Sequence, residues 1–143
     1  MSAQSTPQRK IPSSYPATTG VVEGSVGEHT FKTSEINVIQ DNGVVMVTAI
    51  HRDDDGSSEE IYIQFPDNVK LDEELRLEKF KKTVIVWVSF KGIKTPRVLP
   101  YEVGALVVQK ISSHPLQIKG YVVTGDTIVE KDHALNIKFD FSL

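Results

Sequence analysis

A chain of 143 residues hides enough of its unfolded surface for one core to hold it without metal or disulfide staples, so a single domain is expected. Its apolar content of 39% excludes disorder of the whole chain, and the lack of cysteine removes disulfides, thiol nucleophiles and thiolate metal sites together. The formal charge of −3 is unevenly spread: residues 1–20 carry only Arg9 and Lys10, which leaves 14 Lys+Arg against 19 Asp+Glu, or −5, on residues 21–143. A mildly acidic domain is a poor partner for nucleic-acid phosphates, which require clustered cations.

Residues 1–19 hold Pro7, Pro12 and Pro16 among Ser, Thr and Gln. This mixture buries little and favours extended, unpaired backbone, so it reads as a flexible N-terminal arm ahead of one domain over residues 20–143. Met1–Lys10 has no apolar run of signal-peptide length, and no run in the chain approaches a bilayer span. The sequence as written therefore reads as cytoplasmic, or as an envelope or secreted domain where a leader has been removed.

Val and Ile number 30 against 13 for Ala and Leu. Such stiff, β-branched side chains suit strands better than helices. From Gly20 the pattern becomes strand, turn, strand. Glu35–Gln40 and Val44–Ile50 flank Asp41-Asn42-Gly43, and Asn-Gly is the dipeptide best able to take the positive φ angles of a tight hairpin. Beyond the turn residues 52–58, Glu59–Phe65 sets Ile61, Ile63 and Phe65 on one face. Leu71–Phe80 is ambiguous: Leu71 and Leu75 suit a short helix, whereas Leu75 and Leu77 suit a strand. Thr83–Phe90 is apolar on both faces and is expected mid-sheet, covered on both sides. Ala105–Ile111, Leu116–Val123 and Ala134–Leu143 complete the series. The last alternates without a break from Leu135 to Leu143. About eight short strands at such spacing predict an all-β, antiparallel β-sandwich, with a barrel as the alternative, because no connection has room for repeated crossover helices.

No motif nominates a catalytic, cofactor-binding or metal-binding residue. Asp53, Asp55, Gly56 and Glu59 loosely suggest a calcium loop. Aligning Gly56 with that motif's glycine, however, puts His51 and Tyr62 where its first and last carboxylates should stand, so a solvated hairpin tip turning at Asp55-Gly56 is expected. His29, His51, His114 and His133 lack a second histidine at ligand spacing, so a metal site would have to be assembled by the fold; His114 and His133 are expected in solvent-exposed turns. No Gly-x-Ser-x-Gly elbow presents a nucleophile. Gly20, Gly24 and Gly27 lack the tight first pair of a phosphate loop. Among the aromatics Trp87, Tyr62, Tyr101 and Tyr121, Trp87 is expected in the core, and Tyr62 is the better candidate for an exposed contact.

Several segments resemble small bacterial β-sandwich modules of the kind carried by envelope lipoproteins: Val26–Phe31, the Val-Met-Val-Thr strand after Asn42-Gly43, Gly104–Ile111 leading to Ile118–Tyr121, and the phenylalanine-rich end. The resemblance spans about residues 24–143, implies the same sandwich fold and brings no catalytic residues; the lipidated cysteine of such lipoproteins is absent. The expected function is a non-catalytic binding or assembly module with a partner that could be a protein. The alternatives are a small β-barrel that holds an apolar ligand and an enzyme without a recognisable motif.

Overall fold

The computed structural model describes residues 14–17, 19–92, 97–113, 115–125 and 132–143. These residues form two antiparallel six-stranded sheets, with no helix among them. In chain order the strands are β1 (Ser14–Pro16), β2 (Thr19–Val26), β3 (His29–Thr33), β4 (Ile36–Asp41), β5 (Val44–Arg52) and β6 (Ser58–Pro66), followed by β7 (Leu75–Arg76), β8 (Ile85–Lys91), β9 (Arg97–Pro100), β10 (Gly104–Ser112), β11 (Gln117–Thr124) and β12 (Leu135–Ser142). The first sheet runs β1-β4-β5-β6-β8-β9 and the second β3-β2-β12-β11-β10-β7. Both sheets keep free edges, so the architecture is an open sandwich and the closed-barrel alternative falls.

Seven of the eight inner strands are the ones anticipated from the apolar pattern; that pattern does not delimit β2, which is interrupted by Gly20 and Gly24. The four additional strands, β1, β3, β7 and β9, all lie at sheet edges and are two to five residues long. Short edges limit pairing with other chains. β1 pairs with β4 through Ser14↔Ile39 and Pro16↔Asn37, so pairing begins ahead of the expected boundary at residue 19. The first thirteen residues of the expected arm lie outside the described residues.

The Asn42-Gly43 hairpin forms as expected, with φ of 50° and 78° at its two turn residues. Leu71–Phe80 is not a helix. Leu75 and Leu106 pair, the amide of Leu77 donates to the carbonyl of Gly104, and Leu75 and Leu77 are buried while Leu71 and Phe80 are exposed. The period-two pair of leucines reaches the core from an edge, which a helical turn would have denied to Leu77.

β8 lies mid-sheet, but its outer face is only partly covered. Val84, Val86, Val88 and Phe90 are buried, whereas Ile85 and Trp87 on the outer face remain half-buried. Trp87 is thus not a core residue; Tyr62 on β6 stacks on it. The C-terminal stripe behaves as its alternation predicts. Leu135, Ile137, Phe139 and Phe141 are buried, Leu143 packs against the core, and β12 sits between β2 and β11. The backbones of β2 and β12 come so close that a Cβ on Gly24, where φ is +149°, would lie 1.9 Å from the carbonyl oxygen of Asn136. Close approach to a strand, not a phosphate, therefore accounts for this glycine.

Candidate functional site

Across the first sheet, the inward-facing row Ala49, Ile61, Val88 and Leu99 is in register and fully buried. The next inward row toward one end of the sandwich changes character: His51 pairs with Glu59, Glu59 with Phe90, and Phe90 with Arg97. Since side chains alternate faces along a strand, these four occupy the same interior face as the apolar row beneath them. The second sheet contributes His29, at the start of β3, and His133, two residues ahead of buried Leu135. Together with the hairpin tip Asp53–Ser57 they line an open cleft of about 750 Å³. The fold thus brings three of the four histidines and the acidic loop to one polar mouth between the sheets.

Most of its side chains are tied down. The Nδ1 of His51 lies 3.1 Å from the amide nitrogen and 2.9 Å from the carbonyl oxygen of Lys32 on β3, and its Nε2 lies 3.1 Å from Asp53 Oδ1. In the neutral ring, Nε2–H donates to Asp53 and the Nδ1 lone pair accepts the Lys32 amide; in the charged ring, Nδ1–H turns to the Lys32 carbonyl. Either way both nitrogens are engaged. The ring also packs 5.4 Å from that of Phe31. The His133 ring is tilted against Phe90, 5.3 Å between centroids, and Tyr101 donates its hydroxyl to the His133 carbonyl. His133 is half-buried, not the exposed turn residue that its neighbours in sequence suggested. His114 lies outside the described residues. The guanidinium of Arg97 sits 5.4 Å from the Phe90 centroid, a cation–π contact.

The acidic loop is organised by Ser57. Its amide donates to Asp55 Oδ1 and its hydroxyl to Asp53 and Asp55, while the Gly56 amide donates to the Asp53 carbonyl. These donations hold the Asp55 carboxyl below its ordinary value, the hydroxyl contributing most. The loop is the hairpin tip that its sequence predicts, and Ser57 engages the carboxylates of Asp53 and Asp55 within it. Among the described residues no three His, Asp or Glu side chains are arranged to hold a metal ion.

Glu59 differs from the rest. Its Oε2 is covered from solvent and accepts no hydrogen bond among the described residues. Burial, and secondarily the charge of Asp53, push its carboxyl above the ordinary value; His29, His51 and His133 pull the other way without cancelling the shift. A carboxylate oxygen withdrawn from water and lacking a donor is costly, and such groups concentrate at functional positions.

The other aromatic candidates disperse. Tyr62 turns its hydroxyl to Gln64, Tyr101 is buried, and Tyr121 is exposed on the outer face of the second sheet beside a smaller depression of about 570 Å³. That outer face is a mosaic of paired charges, with Lys138 opposite Glu23 and Lys119 opposite Asp140. The mouth was signalled in the sequence by period two. Val45, Val47 and Ala49 lead to His51; Phe65, Ile63 and Ile61 lead back to Glu59; and Leu99 leads back to Arg97. Polar residues that continue an apolar stripe are the mark of an interior site. No family model matches the chain, and comparison with curated proteins and with solved structures finds no match.

Proposed function

We propose that this protein is a non-catalytic β-sandwich binding module and that its ligand enters the polar mouth bounded by His51, Glu59, Phe90, Arg97, His29 and His133. The observation that carries this reading is the Oε2 of Glu59, covered and without a hydrogen-bond partner among the described residues, on an interior row that opens to solvent. A side chain kept at a cost to stability, where an apolar residue would continue the core, is suited to receiving a ligand. A non-catalytic role is supported by the engagement of His51, whose two nitrogens are taken by Lys32 and Asp53, and of the Ser57 hydroxyl, which is held by the adjacent carboxylates. A general base and a nucleophile must instead face each other. The same proposal places the chain with the envelope-lipoprotein β-sandwich modules that it resembles.

The test is amide chemical-shift mapping on the 15N-labelled full chain with butylammonium, butyrate, inorganic phosphate, glucose and benzene in turn. At least one of these should shift the amides of residues 51, 59, 90 and 97 together. Shifts confined to the depression beside Tyr121, or no shift at the mouth with any compound, would contradict the reading.

A further inference from the structure

Resting on that reading, we infer that the group bound in the mouth is a primary alkylammonium cation that pairs with the half-buried carboxylate of Glu59. The cleft is lined by four carboxylates, on Asp53, Asp54, Asp55 and Glu59, against one permanently charged cation, Arg97. Arg97 is the cross-strand neighbour of Phe90 and lies over its ring, so the row closes on one side with a cation already in place and leaves Glu59 between Phe90 and His51. Among the described residues no hydrogen-bond donor or ion-pair partner serves the Glu59 carboxylate. A carboxylate ligand offers no donor, and a carboxylate or a phosphate would add a further negative charge beside Glu59. A sugar hydroxyl offers a donor but leaves the carboxylate charge uncompensated. An ammonium supplies three donors and the opposing charge together, and such charge-assisted hydrogen bonds are the strong ones. The aspartates at the rim, whose hydrogen bonding is largely internal to the loop, add a negative field that draws a cation toward the opening. The same chemistry is offered by a free diamine and by a lysine side chain of a peptide.

The experiment titrates the 15N-labelled full chain, wild type and Glu59→Gln, with butylammonium and with butyrate, followed by 1,4-diaminobutane and Nα-acetyl-lysine N-methylamide. Butylammonium should shift residues 51, 59, 90 and 97 in the wild type, bind Glu59→Gln at least about tenfold more weakly, and bind far better than butyrate. An amide spectrum otherwise superimposable on the wild type shows that the variant is folded. Tighter binding of the diamine would assign a free polyamine as the source of the ammonium, and tighter binding of the lysine derivative a peptide. Butyrate, phosphate, glucose or benzene shifting the mouth while butylammonium does not, or equal butylammonium affinity in Glu59→Gln, overturns the inference and leaves the binding-module reading standing. A mouth silent to every compound overturns both.

Discussion

The ring of His51, on the last inward position of β5, reaches across the gap between the sheets to the backbone of Lys32 on β3, with Nδ1 2.9 Å from the carbonyl and 3.1 Å from the amide nitrogen. β3 is an edge strand, paired only with β2 on its other side. His51 therefore satisfies an edge backbone group of one sheet from the interior face of the other, and ties the sheets together where the core gives way to the mouth.

Replacing His51 with Ala should lower stability by roughly 1–3 kcal/mol, through the lost hydrogen bonds to Lys32 and Asp53 and the lost packing on Phe31. Urea unfolding should show a lower midpoint with an unchanged slope. An unaltered midpoint would mean that the contact between His51 and Lys32 adds nothing to the association of the sheets.

Gly24→Ala should be among the most damaging small substitutions in the chain. A methyl group there would meet the Asn136 carbonyl at 1.9 Å, at a φ that L-residues avoid, so β2 and β12 would have to separate locally. Strain of this kind costs about 1–3 kcal/mol for the backbone alone, before the ladder is disturbed. Thermal unfolding of the variant checks it. Gly56→Ala is the informative control, because nothing lies within 4 Å of a Cβ at Gly56 and only its positive φ resists the change.

Deleting Asp140–Leu143 should yield insoluble or largely unfolded protein. β12 pairs on both sides, and this stretch includes Phe141, in register with Ile118 on one side and Gly20 on the other. The truncation removes a buried phenylalanine, worth about 1.5–3 kcal/mol, and exposes ladder groups of two neighbouring strands. Size-exclusion chromatography of the refolded protein is the measurement. A monomer of undiminished stability would show that this end of β12 is dispensable.

How far the structure was legible in the sequence follows from what each residue has to satisfy. Inner strands bury one full face, so β5, β6 and β12 show unbroken alternation, and the hairpin between β4 and β5 shows the residues its φ angles require. Edge strands need little burial of their own: β9 offers only Leu99 as a buried residue and β7 only Leu75. Two or four residues with one apolar anchor do not stand out from a loop. Trp87 was misplaced because an apolar outer face reads the same whether another layer covers it or an aromatic neighbour does. The mouth was half legible. Glu59, His51 and Arg97 continue visible inward stripes, but that they form one row depends on the pairings of β5 with β6, β6 with β8 and β8 with β9, and that His29 and His133 face them depends on how the second sheet is laid over the first.

The covered oxygen of Glu59 is the centre of the account, and the pH dependence of the stability difference between Glu59→Gln and the wild type tests it most directly. Because the folded-state value lies above that of the unfolded chain, the folded wild type holds a proton that the unfolded chain has already lost. The contribution of Glu59 to wild-type stability is thus greatest with the group protonated and falls as pH rises through the folded-state value. Below the ordinary glutamate range the two proteins should be equally stable. At neutral pH Glu59→Gln should be the more stable, by under about 1 kcal/mol because solvent screens a half-exposed group. A variant less stable than the wild type at neutral pH would show that the Glu59 carboxylate is already satisfied within the fold, and would contradict its assignment as a group awaiting a ligand.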